Sequence, residues 1–502
     1  MNYLDFTKKS FVGVLTSLIL MGSLAVAQDD SGSGSTGAVP AATAPAEQNN
    51  VENPPLSGLD QPTAEPAFGG RSYLLPGFQL SESVDSNASG SRLNPHTAEI
   101  TRALASVDLQ KIWRKYQLGV DYIAAGNFYA GPLFAQNQAR ATQVHTLAAV
   151  QRILWRTGQL AIRDSFDYLP EGSFGFSSYG GAASFGSSLG GGVSGSGAGT
   201  GLGGGLGAGG IGSVSYGSLG YQPRIDNTAI VDIVQGLSPR STVTMAGGFG
   251  ISHYLQVTNP LFPVINSQQA SGQVGYNHLL SRKDQIGLDY RFQEIHFPNA
   301  GSGSVNAHVV NVLYGHRISG KLNLTLAAGP QLVIVHHPAI VVGNLVTPVP
   351  DTKSLAANGS ATLGYLASTR TNLQLSYRRY VTPGSGFYAG ANTDSLRLSL
   401  GYRLGRHWTT MSDGGYSHNT NLQRAGGTTP SGVHSHSYQF WYAGTSLQRQ
   451  LGPHFSAFAS YQFNDLGFGF CPTGSSTTCG VNTIRHTGMI GLNWHPRPIR
   501  LD

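Results

Sequence analysis

The stretch Asn372-Leu373-Gln374-Leu375-Ser376-Tyr377-Arg378 alternates apolar and polar side chains. In an extended chain successive side chains point to opposite faces, so one face of this stretch is apolar and the other is polar. The same alternation recurs at residues 286–293, 396–403 and 455–464. A period of two kept over about eight to ten residues predicts β-strands long enough to cross a bilayer, which takes about 9–11 tilted residues.

The connections between these strands alternate in length. Short turns are predicted near residues 113–115, 156–158, 238–240, 281–283, 319–321, 368–370, 404–406 and 451–453. Longer loops are predicted near residues 86–97, 128–139, 170–223, 257–266, 298–302, 338–350, 383–391, 420–433 and 469–480. Eight turns and nine loops predict an all-β, antiparallel transmembrane β-barrel of about 18 strands, with 16 as the alternative count.

Two positions depart from this pattern. Pro76 interrupts the first strand, which is predicted over residues 74–85, and Asp164 falls on the apolar face of the fifth strand. A soluble β-helix or β-sandwich is the rival architecture, but neither predicts alternating short and long connections.

The composition fits a barrel wall. Only 11% of the residues are charged, whereas soluble chains carry about 25%. No run beyond the N-terminus is apolar enough for a membrane-spanning helix. A chain with few charges and without long apolar runs suits strands that show one face to lipid and the other to water.

The chain divides into four predicted parts. Residues 1–27 have Lys8 and Lys9, an apolar run and a small-residue end, which predict a cleaved signal peptide. Residues 28–70 are acidic and rich in Ser, Gly, Pro and Ala, which predicts a disordered periplasmic segment. Residues 71–495 form the predicted barrel and 496–502 a periplasmic tail. The first 70 residues hold two of the 31 Lys and Arg and seven of the 25 Asp and Glu, which leaves a net charge of +11 beyond them.

The alternating pattern of residues 71–495 resembles that of porin-like outer-membrane β-barrel proteins. The last strand, residues 486–494, ends on Trp494 and is similar to the C-terminal assembly signal of such barrels, although eight more residues follow. Residues 80–87 also resemble the first strand of barrels associated with exopolysaccharide clusters. The resemblance implies the bacterial outer membrane as location. It implies lipid, lipopolysaccharide and the barrel-assembly machinery as partners, a homo-trimer as one form of assembly, and no nucleic acid.

The charged side chains predicted to face the lumen are mostly arginines. By strand parity, the inward set is Asp121, Arg163, Asp167, Asp289, Arg291, Arg317, Arg378, Arg397 and Arg403. A positive lining selects ions by sign, and a barrel of this size encloses an aqueous channel. Pairing of Asp167 with Arg163 and of Asp289 with Arg291 is expected to offset part of this charge.

Other candidate sites carry less chemistry. Cys471 and Cys479, the two cysteines, predict a loop disulfide in an exported protein. The histidines at 336–337 and 434–436 lie in different loops without nearby carboxylates, so no metal or other cofactor is expected. The Gly-rich loop 170–223 reads as a flexible outer loop, with a lumen constriction as the alternative.

The sequence therefore predicts a non-enzymatic channel. No nucleophile, base and orienting group are placed as a catalytic set. The expected function is a porin-like passive channel for small polar or anionic solutes. An exopolysaccharide export barrel and a closed structural or adhesive barrel are the alternatives.

Overall fold

The fold is seen in a computed structural model. It describes residues 55–57, 72–88, 95–131, 141–171, 221–255, 265–298, 303–337, 340–342, 345–347, 349–383, 388–422, 437–468 and 482–501. Across these residues, no helix is long and apolar enough to span a membrane. The predicted signal peptide, most of the acidic segment, most of the Gly-rich loop and both cysteines lie outside the described residues.

The described chain is built from β-strands. The main sheet contains 19 strands, of which one has only two residues, so 18 long strands form a wall. The strands are β1 (Tyr73–Asp85), β2 (Ala98–Ile112), β3 (Tyr116–Ala130), β4 (Ala141–Trp155), β5 (Gly158–Glu171), β6 (Tyr221–Ser238), β7 (Ser241–Tyr254), β8 (Ser267–Leu279), β9 (Asp284–Phe297), β10 (Gly303–Ser319), β11 (Leu322–His336), β12 (Ile340–Val342), β13 (Leu345–Thr347), β14 (Thr352–Ser368), β15 (Thr371–Thr382), β16 (Ala391–Arg403), β17 (Trp408–Asn421), β18 (Ser437–Gln450), β19 (Phe455–Phe468), β20 (Asn482–Trp494) and β21 (Ile499–Arg500).

The wall closes on itself. Each long strand pairs antiparallel with the next long strand along the chain, and β1 pairs with both β2 and β20. The prediction of an 18-stranded antiparallel barrel is confirmed, and all eight short turns and nine longer connections lie where they were predicted. The hairpin of β12 and β13 lies within the connection from β11 to β14. We call the two rims the short-turn end and the long-loop end.

Pro76 is accommodated by the ends of two ladders. β1 pairs with β20 only from Phe78 onwards, and with β21 only at Tyr73 and Leu74. Pro76 lies between these two ladders and pairs with Val107 of β2 on its other side. A proline lacks the backbone N–H that a ladder needs, so this gap is where β1 tolerates one.

The outer face carries an aromatic belt at the short-turn end. Four of the five tryptophans lie at or beside short turns and are 38–45% exposed: Trp113, Trp155, Trp408 and Trp494. Arg449 lies over the ring of Trp408, with its Cζ 5.1 Å from the ring centroid. Exposed tryptophans at strand ends are typical of a membrane–water interface.

A second outer ring consists of tyrosines with polar partners. Tyr122, Tyr290, Tyr377 and Tyr461 are each the seventh residue of their strands β3, β9, β15 and β19. Three of their hydroxyls contact the Nδ1 atom of a histidine on the next strand, at 2.7–3.0 Å, and Tyr377 donates to Asp394 at 2.7 Å. Since all four strands run upwards from the short-turn end, these tyrosines mark one common height, which we interpret as the outer interface.

Between the two rings the outer face is apolar and exposed. Leu288, Val312, Leu398 and Ile490 are 46–65% exposed, while their neighbours along each strand point inwards. Asp164 keeps its outward parity and accepts a hydrogen bond of 3.2 Å from Asn227 Nδ2 on β6. This hydrogen bond lowers the free-energy cost of removing the Asp164 carboxylate from water on this face.

The seam between the first and last strands has its own ion pair. Arg485 of β20 contacts the carboxylate of Asp85 of β1 through both Nε and an Nη nitrogen. Asp85 is fully buried and Arg485 is 8% exposed. At the opposite rim, β21 pairs with Tyr73 and Leu74, and Lys111 Nζ donates to the carbonyl oxygen of Leu501 at 2.6 Å. Both rims of the seam are therefore held by contacts beyond the β-ladder.

Adjacent residues of β15 provide a test of which face meets lipid. Leu375 points outwards and Gln374 points inwards, and both are exposed. We expect Leu375→Arg to lower the free energy of unfolding in lipid by about 2–4 kcal/mol, because it places a charge in hydrocarbon. Gln374→Arg, the matched control, should change it by less than about 1 kcal/mol because its side chain reaches water. Equal losses, measured by urea titration in vesicles, would contradict this assignment of faces.

The Asp85–Arg485 pair is expected to stabilise closure. Either Asp85→Ala or Arg485→Ala should cost about 3 kcal/mol, since each leaves a buried charge without its partner. The double variant should cost clearly less than the sum of the two, because it removes both charges. Tryptophan fluorescence during urea unfolding measures all three variants, and strictly additive losses would show that the two side chains do not interact.

Candidate functional site: the inner wall of the barrel

The inner face of β7–β11 is polar but closely packed. Its amide side chains are at most 8% exposed, although they point into the barrel: Gln269, Gln273, Asn277, Gln285, Gln293, Asn311 and Gln331. Side chains that pack this closely leave little room for solvent on this side of the barrel. Any open space inside the barrel therefore lies along another part of the wall.

Two other parts of the inner face are more accessible. Gln374 of β15 and Ala148 of β4 point inwards and are exposed, and Ser376 and Ser399 are half-buried. Exposure of inward side chains means that water reaches the interior beside β14–β17 and β4. This accessible part of the inner face is our candidate functional site.

Charges on the inner face are nearly balanced. Among side chains that the structure describes on the long strands, ten arginines and eight aspartates occupy inward positions. The arginines are Arg102, Arg152, Arg163, Arg224, Arg291, Arg317, Arg378, Arg397, Arg403 and Arg485, and the aspartates are Asp85, Asp108, Asp121, Asp167, Asp226, Asp232, Asp289 and Asp413. The excess of positive charge is small, so electrostatic selection by this lining should be weak.

Among the side chains that the structure describes, three of the predicted arginines form ion pairs with aspartates. Arg163 contacts Asp232 at 2.9 Å. Arg397 contacts Asp413 at 2.7 Å, and Arg291 contacts Asp289 at 3.4 Å. The pair of Asp289 and Arg291 was expected. The expected partner of Arg163 was wrong: Asp232 lies on the neighbouring strand β6, within reach of the guanidinium, whereas Asp167 lies four residues further along β5.

The other predicted residues are spread over the inner face. Asp121 lies directly opposite Asp108 in register. The hydroxyl of Tyr73 donates to Asp108 Oδ2 at 2.9 Å. Asp167 lies opposite Asp226, which Arg224 contacts at 2.8 Å. Like carboxylates placed opposite each other favour a nearby cation.

Arg317, Arg378 and Arg403 face inwards and are half-buried. Arg378 is close enough to Arg291 for the two like charges to interact. Arg317 and Arg403 lie towards the short-turn ends of β10 and β16. For Arg403, the structure shows no carboxylate within ion-pair distance among the described residues.

Several inward charges were missed by sequence reasoning. Asp232 follows the outward Val231, which is 45% exposed, so its parity was readable from the sequence. Asp413 lies between Ser412 and Gly414, where small residues hide the alternation. Arg102 donates from Nε to Asn127 at 2.8 Å and joins a fully buried polar group on β2 and β3.

The long-loop end of the lumen carries two large apolar clusters, and a smaller one of Ala98, Ile100 and Tyr129 lies on β2 and β3. The first cluster joins β9, β10 and β11 with residues of three loops or strand ends: Ile265, Ile295, Phe297, Val305, Ala307, Val333, Val335, Val381, Ala389 and Leu422. The second cluster lies on β16, β18 and β19: Tyr388, Ala391, Tyr438, Phe440, Tyr442, Leu466 and Phe468. Apolar side chains at inward positions of a barrel rim reduce the open cross-section there.

Residues 388–390 of the loop between β15 and β16 connect the two clusters. Tyr388 is fully buried in the second cluster and Ala389 is 2% exposed in the first. Gly390 has a φ of +90°, and a Cβ there would lie 3.0 Å from Val305 Cγ2. Residues 388–390 therefore lie against the inner side of the rim and form an apolar collar with the two clusters.

Below this collar, the pairing between β14 and β15 is incomplete. β14 pairs with β11 from Thr352 onwards, but its pairing with β15 begins only at Gly359, opposite Arg379. Among these described residues, the first seven of β14 thus have a β-ladder on one side only, and Leu355 is 75% exposed. Asn358 Nδ2 donates to the carbonyl oxygen of Arg379 at 2.7 Å and closes the split. Above it, Val381 packs with β9–β11 instead.

At the long-loop end His336 and His337 contact neighbouring polar side chains, and His336 Nε2 lies 3.2 Å from Asn306 Nδ2. His336 Nδ1 lies 3.0 Å from Asp351 Oδ2, and His337 Nε2 lies 2.9 Å from Thr352 Oγ1. No group of three or more His, Cys, Asp or Glu within the described ranges is arranged to hold a metal ion. Residues 434–436 and the predicted disulfide lie outside those ranges.

Solved structures with a similar architecture are outer-membrane channels and receptors. OccAB2 of Acinetobacter baumannii is 9% identical over 86% of this chain and 99% of its own, with a TM-score of 0.40. OpdK of Pseudomonas aeruginosa, solved with vanillate, is 11% identical over 84% and 98%, with a TM-score of 0.39. The ferric-catecholate import receptor Fiu of E. coli K12 is 8% identical over 86% and 82%, with a TM-score of 0.40. At these values the similarity carries no conclusion about function. No family model and no curated protein matches the chain.

The collar should loosen when Gly390 is replaced. Gly390→Ala should cost about 1–2 kcal/mol, because its backbone conformation is unfavourable for residues with a Cβ and Val305 lies in the way. Gly405→Ala is the matched control, because a Cβ there meets no atom within 4 Å. Urea unfolding compares the two variants, and an equal effect would show that residues 388–390 do not lie as described.

Proposed function

We propose that this protein is a porin-like passive channel of the outer membrane for small polar solutes, with a weak preference for anions. The proposal rests on one observation above all, the water-accessible part of the inner face beside β14–β17. A barrel of about 16–18 strands is wide enough to enclose an aqueous channel.

The shape of the lumen supports passage of small solutes. The collar narrows the long-loop end and polar side chains pack the inner face of β7–β11. What remains is a path that follows β14–β17, past Gln374 and the half-buried Ser376 and Ser399. A polar wall suits polar solutes, because they can replace the hydrogen bonds that they lose to water with hydrogen bonds to the wall.

The charges along this path support a weak preference for anions. Arg397 is balanced by Asp413, whose side chain is 1% exposed against 23% for Arg397. Because the carboxylate is buried and the guanidinium is partly open, a solute in the lumen meets the cation first. Arg378 of β15 and Arg403 of β16 add inward positive charge along the same path.

Single-channel recording of the refolded mature protein in a planar bilayer tests the channel itself. We expect discrete current steps that grow with salt concentration. Silence from protein that is verifiably inserted would contradict an open lumen and favour the exopolysaccharide or structural alternatives.

Arginine variants of the same channel test its preference. Arg403→Ser should shift the anion-to-cation permeability ratio towards cations about fivefold, since a unit positive charge about 8 Å away in water favours an anion and disfavours a cation by about 0.5 kcal/mol each. Arg397→Ser should shift it further, because it leaves Asp413 unpaired, and Arg397→Ser with Arg403→Ser should shift it most. Arg397→Ser with Asp413→Asn is the matched control and should largely restore the ratio. Unchanged reversal potentials in a salt gradient would overturn the assignment.

A further inference from the structure

Three residues of the acidic N-terminal segment lie inside the barrel. Residues 28–70 were predicted to be disordered, yet Pro55, Leu56 and Ser57 are placed against the inner wall and Ser57 is 1% exposed. Such burial is unusual for a serine that lies outside the β-strands of the chain. The contacts of Ser57 with the wall explain it.

Ser57 is bound through all its polar atoms by side chains of β7 and β8. Its backbone N–H donates to Asn277 Oδ1 at 2.9 Å, and its carbonyl oxygen accepts from Gln273 Nε2 at 2.5 Å. Its hydroxyl oxygen lies 2.6 Å from Thr244 Oγ1 and accepts from Asn277 Nδ2 at 2.5 Å. Thr244, Gln273 and Asn277 are themselves at most 8% exposed. Buried amides and hydroxyls need partners, and the segment supplies them.

Two glycines of the wall leave the space that the segment fills. Gly275 lies between Gln273 and Asn277 on β8, opposite Thr244 in register, and a Cβ there would collide with Cβ and Oγ of Ser57. A Cβ at Gly315 of β10 would lie 2.9 Å from Leu56 Cδ2. The recess thus accepts Ser57 only because Gly275 lacks a side chain, while Gly315 adds room for the tip of the Leu56 side chain.

The recess lies in the lumen, towards the short-turn end. Gly275 and Gly315 are each four residues from the short-turn ends of β8 and β10. Ser57 and Asp232 line one small cavity, so the segment lies beside the Arg163–Asp232 pair. Fourteen residues separate Ser57 from Ser72, and they span at most about 50 Å, which keeps the segment within reach of the recess.

We infer that Thr244, Gln273, Asn277 and the two glycines form a peptide-binding site inside the lumen, and that its ligand is the chain's own Leu56–Ser57. The bound segment occupies space at the short-turn end. As far as conduction is concerned, the inference rests on the proposed channel function: the bound state is the narrower state of the channel.

A disulfide between the segment and the wall tests the site without reference to conduction. Cys471 and Cys479 are the only native cysteines, so Cys471→Ser with Cys479→Ser gives a clean background. In it, Ser57→Cys with Thr244→Cys should form a disulfide in the folded, full-length protein, detected by mass and by mobility before and after reduction. Ser57→Cys with Ser376→Cys is the matched control, because Ser376 lies on the inner face of β15, and it should not crosslink. Failure of the first pair, or equal crosslinking of both pairs, overturns the inference.

Substitution of Gly275 tests whether the recess holds the segment. Gly275→Val should reduce the crosslinked fraction about tenfold, the effect of losing two or more hydrogen bonds. Gly272→Val on the same strand is the control, because a Cβ there meets no atom within 4 Å. Leu56→Asp, which leaves the barrel sequence unaltered, should also reduce crosslinking and serves if Gly275→Val does not fold. Equal crosslinking in all of these variants overturns the inference.

Conductance separates this inference from the proposed function. In a conducting protein, Gly275→Val should give a larger single-channel conductance than Gly272→Val, and equal values overturn the narrowing. Crosslinking that responds to Gly275→Val in a protein that never conducts supports the site and overturns the channel. Conduction without any crosslink supports the channel and overturns the site.

Discussion

Every backbone N–H and C=O group in the wall needs a partner within the wall, because hydrocarbon offers none. An antiparallel sheet meets this requirement only when its two edges join, which is why β1 pairs with β20 as well as with β2. The same requirement explains the position of Pro76, which lies where neither β20 nor β21 needs its missing N–H. It also explains why the seam is reinforced by a buried ion pair at one rim and by β21 at the other.

Closure places opposite chemistry on the two faces. Outside, apolar side chains lie between a tryptophan belt and a tyrosine ring, so the protein presents a band that matches a bilayer. Inside, the lining is polar, but it is uneven: packed along β7–β11, apolar at the collar and open to water beside β14–β17. The incomplete pairing of β14 with β15 adds to this asymmetry, and beside it Val381 and residues 388–389 pack into the clusters on the inner side of the rim. A solute that crosses this lumen would meet one side of the wall far more than the other.

The architecture was readable from the sequence because its signals are local. Alternation along one strand and the residues of one turn identify strand and turn independently of the rest, so the strand number and all connections could be predicted. The contacts inside the lumen could not, because they depend on how far neighbouring strands are displaced. Arg163 is in register with Ile230, and the displacement along β6 decides that it reaches Asp232 rather than a residue of its own strand. Composition alone gave no reason to place Ser57 in contact with Asn277, which lies 220 residues away.

The seam also has a kinetic consequence. All other neighbouring wall strands are consecutive along the chain, so their hairpins can form as soon as both strands are available. Asp85 and Arg485 are 400 residues apart, and closing so long a loop costs conformational entropy that no local pairing recovers. Until that closure occurs, the nearly finished sheet presents two unpaired edges to other chains, which is the condition for aggregation. The pairing of β20 with β1 therefore decides whether the remaining wall closes, and an assembly factor would be most useful at this one seam.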